Sequence, residues 1–159
     1  HLFKGGLSIA DGPSSFPFRV AGPLGGIATA YTPNHLARVN REAEMHKRTT
    51  KRIDWEGSTI QVQCYPIADM MKALNRKVID YWSLDTEGSE AMILQHTDFT
   101  AIQVGVMTVE WASDPTEKLR GEIRAVLERN GFSRVKFDNQ DDYYANRKYF
   151  QDRGLRFPR

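Results

Sequence analysis

Three carboxylates, Asp85, Glu87 and Glu90, fall within six residues in the stretch LDTEGSE, directly after the apolar run that begins at Val78. Carboxylates crowded near a core repel one another and lose hydration, so the crowding calls for a local geometry that uses it. A fourth, Glu110, ends a second apolar run, AIQVGVMTVE. Ligands of open α/β sheets bind at the carboxyl ends of the strands, which is where Asp85 and Glu110 both fall. If their strands pair directly, the two tips stand about 5 Å apart. Such a pair can hold a divalent cation through oxygen ligands, or take the proton of a substrate hydroxyl. Asp85 is the candidate base or orienting group, with Glu87 and Glu110 as helpers or metal ligands. Gly88 allows a tight turn or close approach of backbone to a ligand.

Plainer uses exist for the same residues. A carboxylate in the first turn of a helix complements its dipole by about 0.3–1 kcal/mol, which suits Glu90. Asp85 can cap a helix, and Glu110 can pair with Arg or Lys at a sheet edge.

Elements that would position these groups are legible along the chain. GLSIADGPSSFPFRV (6–20) reads as a strand, a turn at Asp11-Gly12-Pro13 and a second strand around Phe16 to Val20. Residues 21–35 read as glycine- and proline-rich loop, and the polar, basic segment 36–52 as a short mobile helix. STIQVQCY (58–65) alternates like a half-buried strand. After Pro66, Ile67, Met70, Met71 and Leu74 form a helical stripe. Val78 to Leu84 reads as a buried strand, Ala91 to Leu94 as a short helix, and 101–111 as another strand.

The best-marked helix spans Pro115 to Asn130, with Asp114 as cap, Glu117 completing a capping box and Gly131 closing it. Leu119, Ile123 and Leu127 form its inner face. Strands at 132–137 and 142–150 follow, separated by an acidic turn that takes in Asp141 and Asp142. Alternating strands and helices predict an α/β, doubly wound, three-layer sandwich, its sheet mostly parallel with antiparallel C-terminal strands. Residues 1–150 form one domain and 151–159 a loose basic tail.

The formal net charge of +2 exerts no strong pull toward nucleic acid or membrane. The basic run HKRTTKR (46–52), near Arg38 and Arg41, lacks interleaved aromatics and reads as a solvated loop, so no nucleic-acid partner is expected. No apolar run approaches the roughly 20 residues that span a bilayer. A single cysteine, Cys64, excludes an internal disulfide and, with no Asn-x-Ser/Thr site, favours a cytoplasmic setting. Cys64 itself reads as core. His35, His46 and His96 show no ligand spacing for zinc. Trp82 suits packing against a helix, and Trp111, beside Glu110, could cover a substrate.

The stretch VQCYPIADMMKALNRKVIDYWSLDTEGSEAMIL resembles the core of the FkbM-type methyltransferase family, whose strand-ending Asp-x-Glu-Gly-x-Glu motif follows an IDY-x-x-L strand. QCYP and DYWSLDTEGSE are most similar to the animal Star-like branch, and VEW, NGF and DDYY match the family's later strands and helix. The resemblance implies a class I, Rossmann-like fold and S-adenosylmethionine as cofactor. It also implies methyl transfer to the hydroxyl of a small molecule or sugar, with Asp85 beside the methyl or the acceptor oxygen. Glu87 and Glu90 match the other acidic positions of the motif. Gly6, Leu7 and Ser8 match the segment passing the adenine, so Leu7, Ser8 and Asp85 are the expected cofactor-binding residues.

The family's glycine-rich loop after the first strand, and its acidic residue after the second, have no counterpart here. GPLGG (22–26) lacks the G-x-G-x-x-G spacing and reads as loop. The chain opens at His1, so the expectation is a fragment without its first strands, inactive and poor in cofactor binding by itself. A non-catalytic, Star-like protein-interaction module serving trafficking is the alternative function.

Overall fold

The computed structural model describes residues 4–49, 58–111, 117–138 and 140–158. Its strands form two four-stranded sheets. The first joins β1 (Gly6–Leu7), β2 (Ser14–Arg19), β3 (Gly26–Ile27) and β4 (Thr59–Tyr65) in the order β1-β4-β2-β3. The second joins β5 (Val78–Leu84), β6 (Gln103–Glu110), β7 (Phe132–Phe137) and β8 (Asp141–Asn146) in the order β5-β6-β8-β7. Five α-helices accompany them: α1 (Pro33–Thr49), α2 (Ile67–Ala73), α3 (Glu90–Gln95), α4 (Lys118–Arg129) and α5 (Arg147–Asp152).

The expected mostly parallel sheet is corrected by this topology. Only β1/β4 and β5/β6 run parallel, and the other four pairs are antiparallel, so both sheets are mixed. Short connections account for the antiparallel β2/β3 and β7/β8 pairs, whereas β2/β4 and β6/β8 are antiparallel across longer stretches of chain. The α3 crossover joins the parallel strands β5 and β6. Helix α2, in contrast, carries the chain from the first sheet to the second, which interrupts the anticipated continuous winding. The antiparallel finish does form, with β8 inserted between β6 and β7.

Most elements lie where the residue pattern puts them, and the exceptions have local causes. Segment 21–35 is not all loop: it holds β3, a turn of 3-10 helix over Ala28–Ala30 and the start of α1. Helix α1 is longer than expected at 17 residues, because Val39 and Ala43 are buried, Val39 packing with Ala21 and Leu24. Asp114, Pro115 and residues 50–52 of the basic run lie outside the described residues. Glu117 does not complete a capping box; it is itself the N-cap of α4, in left-handed backbone at φ 56°. Gly131 closes that helix as expected, at φ 83°.

The final strand stops at Asn146 rather than running to 150. Asn146 Oδ1 accepts a hydrogen bond from the Tyr149 amide at 3.2 Å, capping α5. The tail is pinned as well: Phe157 meets Phe150 with ring centroids 5.5 Å apart. The main core lies on the second sheet, where Ile123, Val126 and Leu127 of α4 join Ile93 and Leu94 of α3 over Leu84, Met107, Val109 and Tyr144. Trp82 and Cys64 are part of it, as expected. No helix among the described residues is long and apolar enough to cross a membrane.

Candidate active site

Strands β5 and β6 pair directly, with Leu84 opposite Val109. The next residue on each strand is a carboxylate, so Asp85 and Glu110 share the carboxyl end of the sheet. Ligand oxygens of Asp85, Glu90 and Glu110 lie within 4.8 Å of one another. Asp141, paired with Glu110 across β6 and β8, extends the acidic corner. None of the four forms an ion pair with arginine or lysine among the described residues, so the sheet-edge pairing open to Glu110 is not realised.

Between Asp85 and α3 the chain turns through two left-handed residues, Glu87 at φ 56° and Gly88 at φ 110°. Glycine adopts this backbone without cost, and glutamate does not. Glu90, fully buried, holds the turn in place. It accepts from the Thr86 amide at 2.6 Å, the Thr86 hydroxyl at 2.9 Å and the Gly88 amide at 3.0 Å. Burial pushes the Glu90 pKa up, and these donors pull against it. Its role is therefore larger than complementing a helix dipole: it organises the loop that presents Asp85.

Glu110 is the most perturbed carboxyl of the corner. Burial first, then the charges of Asp85, Glu87 and Glu90, push its pKa up to about 8. Its Oε2 is buried with no hydrogen-bond donor in reach. Two ionised carboxyls cannot bond each other, whereas a protonated Glu110 can donate to Asp85, and that contact adds to the upward shift. Burial also raises Asp141, with Asp138 and Asp85 adding to it.

Glu87 meets His35, which the sequence left unassigned. Burial raises the Glu87 pKa while His35 pulls it down. The buried His35 ring sets Nδ1 3.6 Å from Glu87 Oε2 and Nε2 3.2 Å from the Leu24 carbonyl. A carbonyl only accepts, so Nε2 carries a proton there. Tyr31 backs the ring with centroids 4.5 Å apart. No spacing between His35 and the acidic turn could have announced this pairing; only the fold of α1 over the loop creates it.

A cavity of about 400 Å³ opens beside the corner, between the first sheet and the turn that leads into α3, with Asp85, Thr86 and Ser89 at one end. Leu7, Val62 and Ile93 contribute apolar wall. Gly25 and Gly26, the end of the loop GPLGG, also line it. A Cβ on Gly26 would come within 2.9 Å of the Tyr31 ring, so only glycine fits this close passage. Leu7 and Asp85 thus face one cavity. Ser8 does not line it, and its hydroxyl is used in the following turn, donating to the Ala10 and Gly12 carbonyls at 3.1 and 3.0 Å.

Trp111 carries the Arg120 guanidinium 4.1 Å above its ring, a packing role rather than an open substrate cover. Asp142 is no turn residue: it lies inside β8, 1% exposed, and accepts from Arg120 at 2.8 and 3.0 Å. For a divalent cation, Glu90's oxygens are already bonded to Thr86 and Gly88, so Asp85 and Glu110 are the two carboxylates left to offer.

No curated protein and no solved structure matches the chain significantly. A family description does match: that of the methyltransferase FkbM domain, over residues 12–134. That span runs from just before β2 into β7 and contains the whole acidic turn, and by it the chain belongs to the FkbM methyltransferase family.

Proposed function

We propose that the protein is an S-adenosylmethionine-dependent methyltransferase that methylates a hydroxyl oxygen on a small molecule or sugar. The Asp85–Glu110 pair beside the cavity carries this reading. Methyl transfer to oxygen needs the acceptor held in line and a group to receive its proton. Asp85 is at the cavity's end and takes that role. Glu110 retains its own proton to about pH 8 and donates it in a hydrogen bond to Asp85, fixing the carboxylate's orientation. Glu87, anchored by His35, adds negative potential to the corner.

The cavity's donor set fits the cofactor. Apolar walls and a glycine edge with no room for side chains suit a flat base, and the carboxylates suit a cationic sulfonium. Leu7, Gly25, Gly26 and Asp85 are the residues that would hold it. Bound there, S-adenosylmethionine supplies an electrophilic methyl group. Every other part of the chemistry, from binding the acceptor to removing its proton, falls to the side chains at 85–90 and 110. The lone buried Cys64 suits work in a reducing, cytoplasmic setting.

The test is transfer of a radiolabelled methyl group from S-adenosylmethionine to a panel of hydroxylated metabolites by the full-length protein, because residues 1–159 are expected to bind the cofactor poorly by themselves. The expected result is label on a hydroxyl oxygen, lost in Asp85→Asn. A folded protein that neither binds the cofactor nor labels any acceptor would overturn the reading in favour of a non-catalytic interaction module.

A further inference from the structure

At the far edge of the second sheet, Ser133, Arg134 and Val135 of β7, Arg147 at the start of α5 and the segment 156–158 line one cleft of about 540 Å³, to which Arg147 and Arg156 bring free guanidinium charge. No carboxylate is among the lining residues; Ser133 and Phe157 are. We propose that this cleft binds a phosphomonoester group. The site is separate from the acidic corner. Glu110 pairs with Asp141 at the start of β8, whereas Asn146 pairs with Phe132 at its other end, next to the cleft.

The arginines differ in how far their charge is already met. The Arg134 charge is already met by the buried Asp142 at 3.3 Å, and its guanidinium lies 5.1 Å from the Phe137 ring. Arg147 is held in position rather than neutralised. Its Nε donates to the Ser133 hydroxyl at 3.1 Å, and its guanidinium stacks 4.5 Å from the Phe157 ring. Arg156 forms no ion pair among the described residues. Two such charges at one opening repel each other, and an anion removes that cost.

The backbone favours the same ligand. Strand β7 is the outer strand of its sheet, so its outward amides have no ladder partner. Its register slips between Arg134 and Lys136, a bulge of the kind that redirects side chains at a sheet edge. Guanidinium forks match pairs of phosphate oxygens, and a dianionic monoester presents three oxygens to share between two arginines.

Isothermal titration with inorganic phosphate tests this at constant ionic strength. The expected result is saturable binding at roughly millimolar Kd, weakened about tenfold by Arg156→Ala and by Arg147→Ala. Arg156→Ala leaves the Ser133 and Phe157 contacts intact, so its loss is not one of folding. Arg156→Lys, which keeps the charge and loses the fork, falls between. Lys118→Ala, an equal charge change on another face, leaves binding unchanged. Co-sedimentation with phosphatidylcholine vesicles, with and without phosphatidic acid, separates a lipid-borne monoester from a soluble one. No saturation, wild-type affinity in both arginine-to-alanine variants, or an equal loss in Lys118→Ala would overturn the proposal.

Discussion

Asp85, one residue past β5, stands beside Glu110, the last residue of β6, and the second carboxyl holds a proton that the first can accept as a hydrogen bond. Burial is the largest cause of that shift and the Asp85 charge the next. A carboxyl with its pKa raised this far, set beside a second acidic residue at a cavity, is the kind of group that acid–base catalysis uses.

Asp85→Asn removes the neighbouring charge but keeps the shape. The Glu110 pKa is expected to fall below about 8 yet stay above 4.5, because burial remains. Methyl transfer is expected to drop by about 10²–10⁴-fold, the usual worth of a general base, with thermal unfolding unchanged. Carbon-detected NMR titration of the Glu110 carboxyl reads the first quantity. A Glu110 titration unmoved by the substitution would show that the two groups do not interact.

Glu110→Gln tests the cost of this perturbation. The folded pKa of about 8 exceeds the ordinary 4.5, so between these values the native chain holds a proton that the unfolded chain has released. Stability is therefore full below pH 4.5 and declines as pH rises toward 8. Glutamine cannot ionise, so the variant is expected to lose that slope and to gain stability at pH 8. Each kcal/mol recovered raises Tm by about 2–4 °C in a chain of this size. Melting curves at pH 4 and pH 8 decide it, and equal pH slopes in the two proteins would contradict the assignment.

Glu90→Ala is expected to destabilise the fold by about 3 kcal/mol, since it orphans the Thr86 and Gly88 donors beside the core. Glu90→Gln keeps one acceptor oxygen and is expected to cost about half as much. Urea unfolding measures both. A cost below about 1 kcal/mol for the alanine variant would mean that the 86–88 turn does not depend on this carboxylate.

Asp142→Asn leaves the Arg120 guanidinium without its buried counter-charge, and the expected loss is about 3 kcal/mol. Burial opposes the Asp142 charge, but Arg120 and Arg134 outweigh it and hold its pKa below the usual 3.8. Its stabilisation is thus present above that value and lost as pH falls through the lower, folded one. Acid unfolding monitored by circular dichroism should show the wild-type loss at low pH and little further loss in the variant.

The linear order of residues was sufficient for β4, α2, β5, α3 and β6, because each is a local pattern of apolar spacing bounded by Pro, Gly or charge. It also placed Asp85 and Glu110 at neighbouring strand ends, since a strand–helix–strand unit of this length leaves few other pairings. It could not show that Glu90 would be wholly buried, for a carboxylate in a first helical turn looks the same whether it faces water or the Thr86 and Gly88 amides. His35 meeting Glu87, Gly25 and Gly26 walling the cavity, and Asp142 gripping Arg120 are pairings between distant segments. They arise only when α1, the two sheets and α4 are packed together, and no short-range pattern encodes which distant donor meets a given acceptor. The split into two mixed sheets has the same origin. Whether a connection returns to its own sheet or passes to another depends on which apolar faces are buried together, a property of the assembled core rather than of any one segment.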